Sequence, residues 1–269
     1  MKGRVLVVAG SDSGGGAGLQ ADIKTITVLG GFAATAITAL TAQNSLGVHG
    51  VMDVAPDFVA RQMEVVLEDL GADCIKAGML PNAGIMEAVA RVLESLAPSM
   101  PLVLDPVMVA KGGAALMDPA AIAVLKEQLL PKARLLTPNL PEASALLGRE
   151  IGTEDEMEDA ARELLAMGPQ AVLLKGGHLV GTQLVDVLCD KQGVRRFVSS
   201  RIDSRHTHGT GCTTASAIAC GLAQGSSLDE AVERALRYVR QAILSAPGYG
   251  AGHGPLDHGH PLRDVDFSC

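Results

Sequence analysis

The chain alternates short, continuous apolar runs with longer segments in which apolar residues recur every three or four positions. The runs are RVLVVAG (4–10), DCIKAGM (73–79), PLVLDPV (101–107), RLLTPN (134–139) and AVLLKGG (171–177). Strands covered on both faces have this pattern, because their side chains alternate between two apolar layers. Between the runs, DFVARQMEVVLEDL sets Val59, Met63, Val66 and Leu70 on one helical stripe. AGIMEAVARVLESL does the same with Ile85, Val89, Val92 and Leu96. The alternation predicts an α/β fold with a mostly parallel sheet between two layers of helices. Residues 186–201 predict an antiparallel hairpin turned at Gln192 and Gly193, followed by a loop, a long helix in GCTTASAIACGLAQG and a closing helix over about 227–245. The runs 33–40 and 46–54 predict strands at the sheet edge, with helix left open for the first.

Composition narrows the class. At 269 residues without a linker-like shift or internal repeat, one domain over 1–269 is expected, with 260–269 a loose tail. Hydrophobic residues make up 48% and aromatics 2%, so the core must be aliphatic. A net charge of -8 argues against nucleic acid as a partner. The first strand starts almost at Met1, and no run of about 18 apolar residues marks a membrane span. A cytoplasmic protein with no membrane association is expected. Cys74, Cys189, Cys212, Cys220 and Cys269 form an odd set without a C-x-x-C pair, which fits neither a disulfide framework nor a zinc site. His253, His258 and His260 lie among glycines and prolines that offer no rigid ligand scaffold, so they read as a polar terminal loop.

In a sheet of this kind, ligands bind beyond the carboxyl ends of the strands. The residues there are polar or glycine-rich: GSDSGGGAG, GML, DPVMVAKGG, TPNLPEA and KGGH. GSDSGGGAGLQAD is not a Walker loop, since counted from Gly10 the second glycine is Gly15 but Gly16 and Ala17 stand where lysine and serine or threonine would be needed, nor a dinucleotide fingerprint, since Leu19 replaces its third glycine. Its glycines still permit close approach to a ligand, with Asp22 one turn inside the next helix. THGTGC places the N–H groups of Gly209, Thr210, Gly211 and Cys212 at a helix start, where free donors and the helix dipole favour an anion. A phosphoryl group in transfer is such an anion. Cys212 there is expected to have a lowered thiol pKa and to accept the proton of an attacking hydroxyl. The plainer reading is a small buried hydrophobe closing the turn. Asp105, Asn139 and Glu142 offer oxygen ligands of the kind Mg²⁺ takes, though each alone also reads as a cap or solvated side chain. Lys175 ends its run as a cation at the sheet edge.

The motifs AGSDSGGGAGLQADIKT, ITALTAQNSLGV, KAGML, LDPVMVAKGG, LLTPNLPEA, LLKGGH, THGTGCTTASAIA and GAGHGPLDH, in this order from residue 8 to about 258, resemble the hydroxymethylpyrimidine and phosphomethylpyrimidine kinases of thiamine biosynthesis, within the ribokinase-like superfamily. The resemblance implies a three-layer α/β/α kinase fold. It also implies Mg-ATP as donor, and phosphorylation of 4-amino-5-hydroxymethyl-2-methylpyrimidine and of its monophosphate. By the family pattern Gln43 reads the pyrimidine edge and Asp22 helps hold the ring. Thr41, Met79 and Val107 wall it, and Gly10 lets it approach. Cys212 is the base in the anion hole of Gly209, Thr210 and Gly211; the wider superfamily has aspartate there. Lys175, Asn139 and Thr210 meet the nucleotide, Lys111 reaches phosphate, and Asp105 and Glu142 surround the metal. A homodimer is implied as well. A pyridoxal or pyridoxine kinase is the nearest alternative, and a non-catalytic nucleotide or vitamin-precursor binder the alternative from another class.

Overall fold

The computed structural model describes residues 1–108, 117, 119–263 and 265. The strands are β1 (Arg4–Asp12), β2 (Phe32–Asn44), β3 (Gly47–Asp53), β4 (Cys74–Ala77), β5 (Leu102–Leu104), β6 (Leu135–Leu136), β7 (Ala171–Lys175), β8 (Gln183–Asp190) and β9 (Gly193–Ser200). The helices are α1 (Gly18–Val28), α2 (Pro56–Asp69), α3 (Ala83–Leu96), α4 (Pro119–Val124), α5 (Leu140–Leu147), α6 (Glu154–Ala166), α7 (Thr210–Ala223) and α8 (Leu228–Leu244).

Alternation along β1 shows how the layers arise. Val5, Val7 and Ala9 enter an apolar cluster with Leu19 and Ile26 of α1, Ile218 of α7 and Ala235 of α8. Leu6 and Val8 enter a second cluster with Met63 of α2, Val89 of α3, Leu146 of α5 and Leu164 of α6. The result is the three-layer α/β/α arrangement. The sheet order is β3-β2-β1-β4-β5-β6-β7-β8-β9. Pairing is parallel from β2 through β7 and antiparallel for β2 with β3, β7 with β8 and β8 with β9.

Strand order reverses at β1, which has β2 on one side and β4 on the other, so a crevice opens above its carboxyl end. Strands β4, β5, β6 and β7 are shorter than the apolar runs that predict them. The last residues of each run, such as Lys175, Asp105 and Asn139, therefore sit at or past the strand end and rim that crevice. The 33–40 run, where helix was left open, lies in β2, paired with β1 along most of its length and with β3 from Ala39 onward. Both helical stripes lose their last member: Leu70 is 47% and Leu96 40% exposed, each at its helix end. The expected hairpin and closing helix match β8, β9 and α8, the latter capped by Ser227 and Glu230 in a reciprocal box. The tail begins with a docked turn: His260 Nε2 lies 3.2 Å from the Tyr238 carbonyl oxygen.

Candidate active site

Two clefts meet above the sheet. The first, about 490 Å³, lies over β1, β2, β4 and β5; the second, about 730 Å³, lies between β8–β9 and the α7–α8 layer. Both reach Asn139, Lys175, Thr210 and Gly211, so the start of α7 is their shared wall. Sizes of this order suit small organic ligands.

The backbone at that wall is set by glycine. Gly209 caps α7 with φ +87°, and a Cβ there would collide with the Gly16 carbonyl oxygen. The first α7 amide to close a helical bond is that of Thr213, to Gly209 O at 2.9 Å. The N–H groups of Gly211 and Cys212 are left without an intrahelical acceptor, which is the anion-accepting geometry expected of a helix start.

Cys212 is half-buried and faces the first cleft. Its thiol differs from expectation: burial pushes it up to about 11, while the nearby Lys76 ammonium pulls down and Asp22 and Asp105 push up. Desolvation of a thiolate outweighs the helix-start effect on which the sequence argument rested. Asp22 is a second correction. It does not line the cleft but is fully buried, its Oδ2 2.9 Å from Lys76 Nζ and its Oδ1 accepting from Ser216 Oγ at 2.6 Å. Lys76 is fully buried too; burial alone would lower its pKa, yet Asp22, Cys212 and Asp105 together hold the ammonium above its usual value. A charge pair thus lies beneath the thiol, out of a ligand's reach.

At the junction, Lys175 Nζ lies 3.0 Å from Asp105 Oδ1, which also accepts from Thr137 Oγ1 at 2.9 Å. Burial opposes the Lys175 charge, but Asp105 and Glu142 hold it above the usual value. Asn139 and Glu142 cap α5 reciprocally: the Asn139 N–H donates to Glu142 Oε2 at 2.8 Å, and the Glu142 N–H to Asn139 Oδ1 at 2.9 Å. Burial pushes Glu142 up to about 7, against the pull of Lys175 and with a further push from Asp105. No cluster of three or more metal-ligating side chains occurs among the described residues. Two mutually repelling buried carboxylates nevertheless fit Mg²⁺, which keeps several waters and usually takes one or two carboxylates beside substrate phosphates.

The other predicted residues line the first cleft. Gly10 faces Met79, whose sulfur would lie 2.9 Å from an added Cβ. Thr41 Oγ1 donates to Ser11 O at 2.9 Å, and Gln43 and Val107 complete that end. Lys111 lies outside the described residues.

Four contributors were not anticipated. In the loop read as open to a ligand, the Gly14, Gly16 and Ala17 amides bond Asp12, and Asp12 pairs with His208. His253 lines the cleft on a terminal strap, its N–H donating to Ser45 O at 2.8 Å. Asp186, pushed up to about 6 by burial, lines the second cleft and accepts from the Gly176 N–H. Asp12 beside three glycines was a visible signal, because closely spaced free amides need an acceptor; the others come from distant sequence and gave none.

A ribokinase-like sheet carrying two clefts that share one anion-accepting helix start defines a small-molecule kinase. The chain belongs to the phosphomethylpyrimidine kinase family, whose sequence profile matches residues 12–257. It is 53% identical over 264 residues to the thiamine biosynthesis bifunctional protein ThiED of Geobacter sulfurreducens, covering 98% of this chain and 54% of that protein. It thus spans about half the length of that relative. It is 45% identical over 256 residues to the hydroxymethylpyrimidine/phosphomethylpyrimidine kinase of Bacillus subtilis, covering 95% and 94% respectively. Among solved structures, the pyridoxal kinase from Staphylococcus aureus in complex with AMP-PCP and pyridoxal superposes with a TM-score of 0.89 at 34% identity, over 98% of this chain and 96% of that one.

Proposed function

We propose that the protein transfers phosphate from Mg-ATP to hydroxymethylpyrimidine, and then to the monophosphate, in thiamine biosynthesis. The observation that carries this reading is the meeting of the two clefts at Gly211 and Lys175. The acceptor lies in the first cleft against Gly10, Thr41, Gln43, Met79 and Val107, and its hydroxymethyl group points at Cys212. The nucleotide lies in the second, its phosphates between Asn139, Lys175 and Thr210. The free amides of Gly211 and Cys212, with Gly209 shaping the turn, stabilise charge on the equatorial oxygens of the phosphoryl group as its bond to the nucleotide breaks and its bond to the acceptor oxygen forms. Asp105 and Glu142 would hold Mg²⁺, which neutralises phosphate charge. Cys212 takes the proton of the attacking hydroxyl, helped by the Lys76 ammonium beneath it.

The four described cysteines are unpaired, which fits a reducing compartment and so the cytoplasm. No helix among the described residues is long and apolar enough to cross a membrane. The exposed apolar edge at Leu46, Val51 and Met52 supports a homodimer.

The test is to incubate the protein with Mg-ATP and either hydroxymethylpyrimidine or pyridoxal and follow products by mass spectrometry. Mono- and then diphosphorylated pyrimidine is expected. Pyridoxal phosphate alone would assign the pocket to the substrate named for the Staphylococcus neighbour. Tight pyrimidine binding without product would make the chain a binder.

A further inference from the structure

Asp12, His208 and Gln43 come from the ends of β1 and β2 and from the turn before α7, and they meet at one wall of the first cleft. Asp12 is 3% exposed. Its carboxylate accepts from the Gly14 N–H at 2.8 Å, the Gly16 N–H at 3.1 Å and the Ala17 N–H at 2.8 Å. His208 Nε2 lies 2.8 Å from Asp12 Oδ2. A carboxylate with three amide donors is ionised and can only accept, so His208 Nε2 carries a proton and donates it.

The same Nε2 lies 3.3 Å from the nitrogen end of the Gln43 carboxamide, whose other end is 3.2 Å from Thr41 Oγ1. Two N–H donors do not face each other. Chemistry turns the Gln43 oxygen toward His208 and its NH₂ toward Thr41 Oγ1. Thr41 can receive it, because its hydroxyl donates to Ser11 O. The single His208 Nε2–H is then shared between Asp12 Oδ2 and the Gln43 oxygen, while the Gln43 NH₂ meets Thr41 Oγ1. Glycine at position 16 belongs to the same device: a Cβ there would lie 2.6 Å from His208 Cδ2.

We propose that Asp12 and His208 are positioning residues that lock the donor and acceptor ends of the Gln43 carboxamide, and so select a ring bearing a nitrogen beside an exocyclic amino group. The glycine run wraps its amides around this internal carboxylate rather than around a ligand's phosphate. A free carboxamide can present either order of donor and acceptor, whereas a locked one presents a single order. It therefore favours an aminopyrimidine edge over a pyridine ring that lacks the amino group. This rests on the kinase reading above for the identity of the acceptor.

The test combines His208→Ala, His208→Gln and Gln43→Ala, with the double variant His208→Ala/Gln43→Ala. For each, hydroxymethylpyrimidine binding is measured by calorimetry, and KM and kcat are measured for hydroxymethylpyrimidine and pyridoxal. Loss of one good hydrogen bond corresponds to about tenfold in affinity. His208→Ala is expected to raise KM for the pyrimidine about tenfold while kcat changes by less than about threefold, and to lower the preference over pyridoxal. In the double variant, His208→Ala should add little to Gln43→Ala, because His208 acts only through the carboxamide. His208→Gln, whose amide can donate to Asp12, should recover most of the loss. Independent effects of the two residues, equal losses on both substrates, or a fall in kcat at constant KM would each overturn the proposal. Wild-type protein that binds or phosphorylates neither ring would instead overturn the kinase reading. Thermal unfolding of each variant separates misfolding from altered recognition, and the glutamine variant keeps the outcome decisive if the alanine variant fails to fold.

Discussion

Cys212 and the groups around it show how far one residue type carries an argument. A thiol at a helix start is expected to be acidic, yet Cys212 stands at about 11 because burial disfavours its thiolate. If Cys212 is the base, the active form is its deprotonated form, which grows about tenfold with each pH unit below the pKa. kcat should therefore still be climbing above pH 9, provided phosphate transfer rather than product release limits turnover. Cys212→Asp replaces the base by a carboxylate and should complete that rise by neutral pH. Cys212→Ala should cost about 10²- to 10⁴-fold in kcat. A pH–rate profile unchanged in both variants would remove the base role and leave only the anion hole. The position of Cys212 was legible in the sequence. Its titration was not, because its burial, and the opposing charges of Lys76 and Asp22 near it, come from the packing of other elements.

The strands and helices nearest the site were legible where a local pattern marks them, as in β1, β7, α7 and α8. The terminal strap was not. GAGHGPLDH reads as a polar loop, yet its glycines admit close packing: a Cβ at Gly252 would collide with Ser45 O, and one at Gly254 with the His206 ring. At its end, His258 is 4% exposed, with Nε2 3.0 Å from Thr213 Oγ1 and its carbonyl accepting from Tyr238 at 2.7 Å. Burial lowers His258 from 6.5 to about 4. The unfolded chain thus takes up a proton near 6.5 that the folded chain resists down to about 4. The stability this provides is full above 6.5 and is lost as pH falls toward 4, by up to about 3 kcal/mol. Urea unfolding at pH 7 and pH 5 should show the loss, and His258→Asn should flatten it. An equally steep loss in that variant would place the acid sensitivity elsewhere.

At the scale of the whole molecule, β3 is an edge strand that, among the described residues, pairs only with β2. Its Val51 and Met52 are 47% and 60% exposed, and Leu46 in the preceding turn is 66% exposed. An unpaired apolar edge invites a second chain. Sedimentation velocity should show a dimer in the wild-type protein and a shift toward monomer in Met52→Asp, since burying an unpaired carboxylate is costly. A monomeric wild type would remove the homodimer reading.

The periodic burial of aliphatic residues determined the layers, because that pattern is local and each strand and helix carries its own copy. The turn at Gly209 and the polar strand ends followed from local chemistry in the same way. Tertiary structure alone decided which polar groups meet: it sank Asp22 beneath the cleft with Lys76 and set Asp12 against His208 and Gln43. Buried charges and donors must find partners, and those partners lie 54 residues apart for Asp22 and Lys76 and 196 apart for Asp12 and His208. No spacing along the chain records such a pairing; only the folded sheet brings its members together.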